Sequence, residues 1–284
     1  MTPLEHVHPS RDAARTPRAG DRLRATRAML AVLLASIPPA CGTGGAARGG
    51  GAAVPATAGV GSPVDPSTPA GEEIRFGEEV AAIVRRSSAD PAAREGTMLV
   101  GSSILRLWGD AATDLARFRA VNHAFGGART WELLAYADEL VVGFRPRTLV
   151  VYCGSNDVNA GEPAARIVER LARFTRRMEA ALPGVRIAHL SICRAPQKRA
   201  RWSVVDEANE ALRALCAERP TRLFVDVNDG LADASGEPVL AYYEPDGLHY
   251  TRQAYRDVFL PRVVRALDRL DADRAIAPDA RGGR

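Results

Sequence analysis

From Glu72 onward, short runs of nearly uninterrupted apolar residues alternate with longer stretches whose apolar residues recur every third or fourth place. Few folds accept that alternation. The short runs are Met98-Leu-Val, Ala120-Val-Asn, Thr148-Leu-Val-Val-Tyr-Cys153, Val185-Arg-Ile-Ala-His-Leu-Ser-Ile192 and Leu223-Phe-Val-Asp-Val227. A strand buried on both faces reads this way, because neither face can carry polar side chains. Between the runs, Ile167, Leu171, Phe174, Met178 and Leu182 line one face of a predicted helix, and Val205, Ala208, Leu212 and Leu215 line another. Phe76, Val80 and Ile83 give a first helix its buried stripe. Tyr255, Phe259, Val263, Leu267 and Leu270 give a last one, with a kink expected near Pro261. About five strand–helix alternations predict an α/β domain with a parallel sheet covered on both sides and right-handed crossovers.

The pattern begins late in the chain. Residues 1–27 are polar and Arg-rich, and Ala28–Ile37 is an apolar run followed by Pro38-Pro-Ala-Cys41. A positive segment, a short apolar core and small residues predict an export signal over residues 1–41, too short to span a bilayer as a mature helix. Cys41 is the candidate lipid-attachment residue, which would make the protein a bacterial cell-envelope lipoprotein; without it the protein would be secreted. Residues 42–71 are Gly, Ala, Pro, Ser and Thr with almost no large apolar side chains. They predict a flexible tether, since they cannot bury enough surface to fold. The folded domain is expected over 72–284.

Charge excludes one class of partner. The net charge is +4, but residues 1–41 carry six Arg against Glu5, Asp12 and Asp21, so the remainder is near neutral. No concentrated basic face of the kind that grips a phosphate backbone is evident, and nucleic acid is not an expected partner. The cysteines, Cys41, Cys153, Cys193 and Cys216, form no Cys-x-x-Cys pair and show no metal-ligand spacing with a histidine. Neither a zinc site nor a structural disulfide is expected, and Cys153 and Cys193 are expected as small buried hydrophobes.

In an open parallel sheet, ligands bind beyond the carboxyl ends of the strands. Four polar stretches fall there: Gly101-Ser-Ser103 after the first strand, Asn122-His-Ala-Phe-Gly-Gly127 after the second, Gly154-Ser-Asn-Asp157 after the third, and Asp246-Gly-Leu-His249 after the fifth. Acyl transfer needs an activated hydroxyl, a base titrating near neutrality, a group that fixes the base's tautomer, and donors aimed at the developing oxyanion. Ser103 is the candidate nucleophile, with Ser102 as the alternative. His249 is the base and Asp246, three residues away on a tight turn, can reach its Nδ1. The Gly127 N–H and the Asn156 amide are candidate oxyanion donors, and a side chain at 127 would crowd the substrate.

These blocks, in this order, resemble the SGNH (GDSL-type) hydrolase superfamily over about residues 96–270. The resemblance implies a flavodoxin-like three-layer α/β/α sandwich with a five-stranded parallel sheet. It also implies an oxyanion hole that adds the Ser103 N–H to Gly127 and Asn156, and chemistry on esters or thioesters with no metal or cofactor. In one departure, Ser102 stands where the family usually has Asp. No Gly-x-Ser-x-Gly elbow is present, which disfavours the other large serine-hydrolase fold.

The reading that follows is an exported serine esterase acting on short-chain acyl esters, with deacetylation of a carbohydrate or cell-wall glycan suited to a tethered domain. A lipase, thioesterase or acyltransferase would use the same residues, and a catalytically silent glycan-binding module is the rival of a different class. The expected partner is a small-molecule or glycan ester, with membrane contact only through an anchor at Cys41. Arg194–Trp202 leaves the fourth strand at the site edge with four cations, and Arg199 and Trp202 are candidate substrate-binding residues. His123, His189, Trp108 and Trp131 are expected in the core, Asn122 in a structural role bonding backbone between adjacent loops, and Asp157 as a helix cap.

Overall fold

The structure is a computed structural model and describes residues 73–90 and 93–276. The expected export segment, Cys41 and the tether lie outside the described residues. Every described residue belongs to one compact unit.

The apolar runs form β1 (Thr97–Gly101), β2 (Ala120–Asn122), β3 (Thr148–Tyr152), β4 (Arg186–Leu190) and β5 (Arg222–Val225). They make one five-stranded sheet in the order β2-β1-β3-β4-β5, and each neighbouring pair is parallel. This is the doubly wound flavodoxin-like order, in which the chain starts at β1, steps outward to β2, then crosses over to β3 and continues to the far edge. The register sets Leu99 beside Val150 and Gly101 beside Tyr152.

Two cores result from strand alternation. Met98, Val100, Leu149, Val151 and Ile187 point to one face. There they meet Val80 and Ile83 from helix Gly77–Ser88, Ile167, Leu171, Phe174 and Met178 from Ala164–Ala181, and Val205 and Leu212 from Trp202–Ala217. Leu99, Val150, Tyr152, Ala188 and Leu190 point to the other face, against Leu105, Trp108 and the final helix Leu260–Ile276 with Val263, Leu267 and Leu270. Each fully buried Leu, Ile, Val or Phe contributes about 1.5–3 kcal/mol, so both faces must be covered for the sheet to be stable.

Two details of the expected elements change. Phe76 is not part of the first helix's stripe. It precedes the helix with φ 72°, a left-handed backbone that is uncommon for a bulky residue. Near Pro261 the chain makes a π-helical turn over Tyr255–Phe259 before the Leu260–Ile276 helix. Proline has no N–H for the carbonyl four residues back, and widening the preceding turn accommodates that loss.

Candidate active site

The first site element depends on a glycine. Gly101 ends β1 with φ +136°, and a Cβ there would lie 1.9 Å from the Tyr152 carbonyl oxygen of β3. Only glycine allows the two strands to stay paired this far. Ser102 then donates its N–H to that same Tyr152 carbonyl (2.9 Å), and its own carbonyl accepts from Leu105 and Arg106, starting helix Ser103–Arg106. Ser103 occupies the first position of that helix.

Ser103 Oγ lies 3.0 Å from His249 Nε2, and His249 Nδ1 lies 2.6 Å from Asp246 Oδ2. Asp246 Oδ1 accepts the backbone N–H groups of Leu248 and His249, each at 2.9 Å. One carboxylate therefore orders its own loop with one oxygen and the imidazole with the other. Burial pushes the Asp246 carboxyl up, but the two backbone N–H groups and His249 together hold it at about 2. Asp246 is thus ionised throughout the neutral range, and Nδ1 of a neutral His249 carries the proton that faces it. Ser102 is fully buried and its Oγ has no hydrogen-bond partner, which leaves Ser103 as the hydroxyl at the imidazole.

The histidine loop is tightly held. Tyr243 and Tyr250 form an antiparallel bridge across its base, Glu244 N–H donates to the His249 carbonyl (2.8 Å), and Gly247 N–H donates to Glu244 (2.9 Å). Tyr250 in turn packs on Tyr255 and Phe259.

The second and third blocks converge on the neighbouring strand ends. Asn156 lies in helix Ser155–Asn159 after β3 and donates one amide N–H to the Ala128 carbonyl at 2.9 Å. A primary amide has a second N–H to offer, and this bond fixes the plane in which it points. Gly127, beside Ala128, has φ +71°, and a Cβ there would come within 3.3 Å of the Phe76 ring. Crowding at this glycine therefore involves Phe76 as well as any substrate.

Asp157 caps a helix other than its own. It is fully buried and accepts the N–H of Thr130 (3.1 and 3.0 Å) and the Thr130 hydroxyl (2.6 Å), at the start of helix Thr130–Ala135, with Arg170 at 3.5 Å. Burial raises its carboxyl above the usual range, against the pull of Thr130 and Arg170. Asn122 donates to the Leu105 carbonyl (2.7 Å) and accepts from Ala124 N–H (3.1 Å), which ties the second block to the serine helix.

The remaining candidates lie apart from this chemistry. His123 is buried between the Leu140 carbonyl (2.7 Å) and Ser87 Oγ (2.8 Å). His189 is buried with Nε2 at 2.9 Å from Thr175 Oγ1, and burial lowers it to about 4. Trp108 and Trp131 are in the core. Arg199 is ion-paired with Glu237 and lies 4.5 Å above the Trp202 ring, whose indole N–H donates to the Ala195 carbonyl at 3.0 Å. Arg194 is ion-paired with Asp206.

Two residues beside the site were not legible as such. Phe76 flanks Gly127 from far back in the chain, held by Tyr136 hydroxyl donation to the Arg75 carbonyl (2.6 Å) and by the Arg75–Glu132 ion pair. Its isolated position before a helix carries no sequence signal. Lys198, one cation among four in its segment, is buried, and its amine donates to Asn159 Oδ1 (2.9 Å) and Gln197 Oε1 (3.0 Å).

The chain matches the GDSL-like lipase/acylhydrolase family over residues 57–256. It belongs to that family. Solved structures agree on the fold. A Streptococcus pneumonia protein named as a platelet activating factor superposes with TM-score 0.58 at 21% identity, covering 67% of this chain and 91% of that one. A GDSL-like lipase from Bacteroides thetaiotaomicron gives TM-score 0.53 at 16% identity, covering 66% and 97%. TesA gives 0.51 at 22%, covering 61% and 99%. No curated protein matches the chain in sequence. Among GDSL-like acylhydrolases this chain keeps the five-stranded parallel sheet while carrying Ser102 ahead of the candidate nucleophile.

Proposed function

We propose that this GDSL-like acylhydrolase is an exported serine esterase that removes short acyl groups from esters, with an acetylated carbohydrate as the physiological class of substrate. The observation that carries the chemistry is the Ser103–His249–Asp246 chain of hydrogen bonds at 3.0 and 2.6 Å. Ser103 Oγ attacks the ester carbonyl as its proton passes to His249 Nε2. The carbonyl electron pair moves to oxygen, where the Ser103 and Gly127 N–H groups and the second Asn156 N–H receive it. On collapse, the C–O bond to the alcohol breaks and His249 returns the proton to the departing oxygen. Water, deprotonated by the same imidazole, then releases the acid and restores Ser103. Asp246 keeps its charge throughout and offsets the imidazolium formed in each half-reaction.

The short acyl group is chosen on crowding at Gly127, where a Cβ would come within 3.3 Å of the Phe76 ring. Export is supported by the charged and apolar N-terminal segments, and the carbohydrate by the compartment they imply. The test is hydrolysis of p-nitrophenyl acetate and butyrate by the wild-type chain, Ser103→Ala and Ser102→Ala. Loss in Ser103→Ala alone, with acetate preferred, is expected. Full activity in Ser103→Ala would overturn the mechanism. Transfer of the acyl group to an added alcohol in preference to water would make the protein a transferase.

A further inference from the structure

Of the 38 basic residues in this chain, one is lysine, and it is buried next to the site. Arginine serves at every other cationic position, including exposed ones, so the exception asks for a local reason. Lys198 lies in the 3-10 turn Pro196–Arg201, after β4. Its amine donates to Asn159 Oδ1 at 2.9 Å and to Gln197 Oε1 at 3.0 Å, and Asn159 Nδ2 donates to that same Gln197 oxygen at 3.3 Å. Asn159 is the last residue of the helix that carries Asn156. Gln197 donates its backbone N–H to the Gly247 carbonyl (3.1 Å), inside the loop that carries Asp246 and His249. The amine therefore joins the helix of the candidate oxyanion donor to the loop of the candidate base. Arginine would not fit this slot, because five N–H groups would meet two side-chain oxygens.

We propose that Lys198 is a positioning residue for the ester chemistry, one that locks the Asn156 helix to the Asp246–His249 loop and, as a buried cation, tempers the hold of Asp246 on the imidazolium. This rests on the esterase reading. The oxygens it meets are neutral, and the ionisable groups that act on its charge are Cys193, from the end of β4, and Asp246. Burial pushes the amine down to about 8, with Cys193 and Asp246 pulling the other way. Burial raises the Cys193 thiol to about 11 and holds the Tyr152 and Tyr250 phenols well above their usual range. None of the three carries charge near neutrality, so Asp246 is the anion there that Lys198 shares with His249. A cation near that carboxylate makes the imidazolium less favourable, and its removal makes it more so.

Lys198→Met keeps the stem and deletes the charge and the donors. The expected result is a fall in kcat of about tenfold with KM within twofold, and an acid limb of the kcat/KM profile displaced upward by about half a pH unit or more. A purely structural lysine would lower Tm and leave the limb where it was, which would overturn the inference. A second measurement needs no activity. Wild-type protein grown on 13C-lysine carries one labelled side chain, whose midpoint should fall by about half a pH unit or more in Asp246→Asn, where the favourable carboxylate is lost. An unmoved midpoint overturns the inference even if Lys198→Met fails to fold. If Ser103→Ala retains hydrolysis, the esterase reading fails instead, and the lysine titration still decides whether the two groups are coupled.

Discussion

The two halves of the candidate site are built by different means. Ser103, Gly127 and Asn156 stand at the ends of β1, β2 and β3, where the strand register and a glycine fix the backbone to within the close approach of Gly101 to Tyr152. Asp246 and His249 stand on a loop after β5, with side chains 50% and 26% exposed, and are held by hydrogen bonds within the loop and by the Tyr243–Tyr250 bridge. The first half is positioned by the sheet, the second by its own local bonds and by neighbours such as Gln197. On the proposed mechanism an oxyanion donor and a base that exchanges protons with substrate and water place different demands on their supports, and the two aspartates differ in the same sense. Asp157 is fully buried, spends its oxygens on Thr130 and Arg170, and is raised by burial. Asp246 is half exposed, receives two backbone N–H groups, and is held at about 2.

The largest break in this comparison should come from the donor in the sheet-held half. Asn156→Ala removes an N–H that, on the proposed mechanism, is needed only as charge develops on the carbonyl oxygen. Turnover is expected to fall roughly 100- to 1,000-fold with KM little changed. The same variant frees the Ala128 carbonyl, so Asn156→Asp is a useful companion, as it keeps the size but substitutes an acceptor. Steady-state kinetics on p-nitrophenyl acetate check both, and retention of more than a tenth of wild-type kcat in Asn156→Ala would remove the residue from the oxyanion site.

An effect of another kind, on stability rather than turnover, separates the aspartates. Asp157→Ala leaves the Thr130 N–H and hydroxyl without their acceptor and leaves the buried Arg170 with Glu162 alone. Breaking a buried, charge-assisted network of this kind costs about 3–5 kcal/mol. The expected outcome is a lower urea midpoint, with near-normal kcat for whatever fraction remains folded. Asp246→Ala should lose turnover while costing less stability than Asp157→Ala, since the two N–H groups it leaves belong to a solvent-exposed loop. Equal behaviour of the two variants in the two assays would erase the distinction between a buried scaffold carboxylate and an accessible one.

What could be read from residues alone follows the same division. β1, β3 and β4 are legible because burial on both faces forbids polar residues over several consecutive positions. The blocks are legible because each short polar stretch follows a strand, and chain order alone sends parallel strand ends to one edge. Asp246 and His249 are three residues apart, so their pairing is a local matter. The bond from Asn156 to Ala128, the reach of Asp157 to Thr130 and the place of Phe76 beside Gly127 span 27 to 51 residues. They depend on how loops pack, which no short-range pattern encodes. Lys198 was legible only as one more cation in an Arg-rich segment, since whether such a residue lies in or out is settled by the turn that carries it. The π-helical turn before Pro261 is a case between, where the proline announces an irregularity and packing decides its form.

The least effect is expected at the rim, where the segment after β4 meets solvent. Arg199 and Trp202 are the candidate substrate-binding residues of this segment, and their geometry argues for a self-contained cluster. The Arg199 guanidinium is taken by Glu237 and stacked on Trp202, and Arg194, 5.5 Å from the same ring, is taken by Asp206. With both of these guanidiniums matched to a carboxylate, an incoming anion gains little from either, and an exposed ion pair adds little that solvent does not screen. Arg199→Ala should therefore change kcat/KM by less than about twofold on a neutral ester and on a matched anionic one alike, since a screened rim charge has little to add in either transition state. Glu237→Ala sharpens the test by releasing the guanidinium that Arg199→Ala removes. If that variant gains on the anionic ester while the neutral rate stays fixed, the pair is a charge held in reserve by its own carboxylate; if both rates stay fixed, the pair has no part in selecting the substrate.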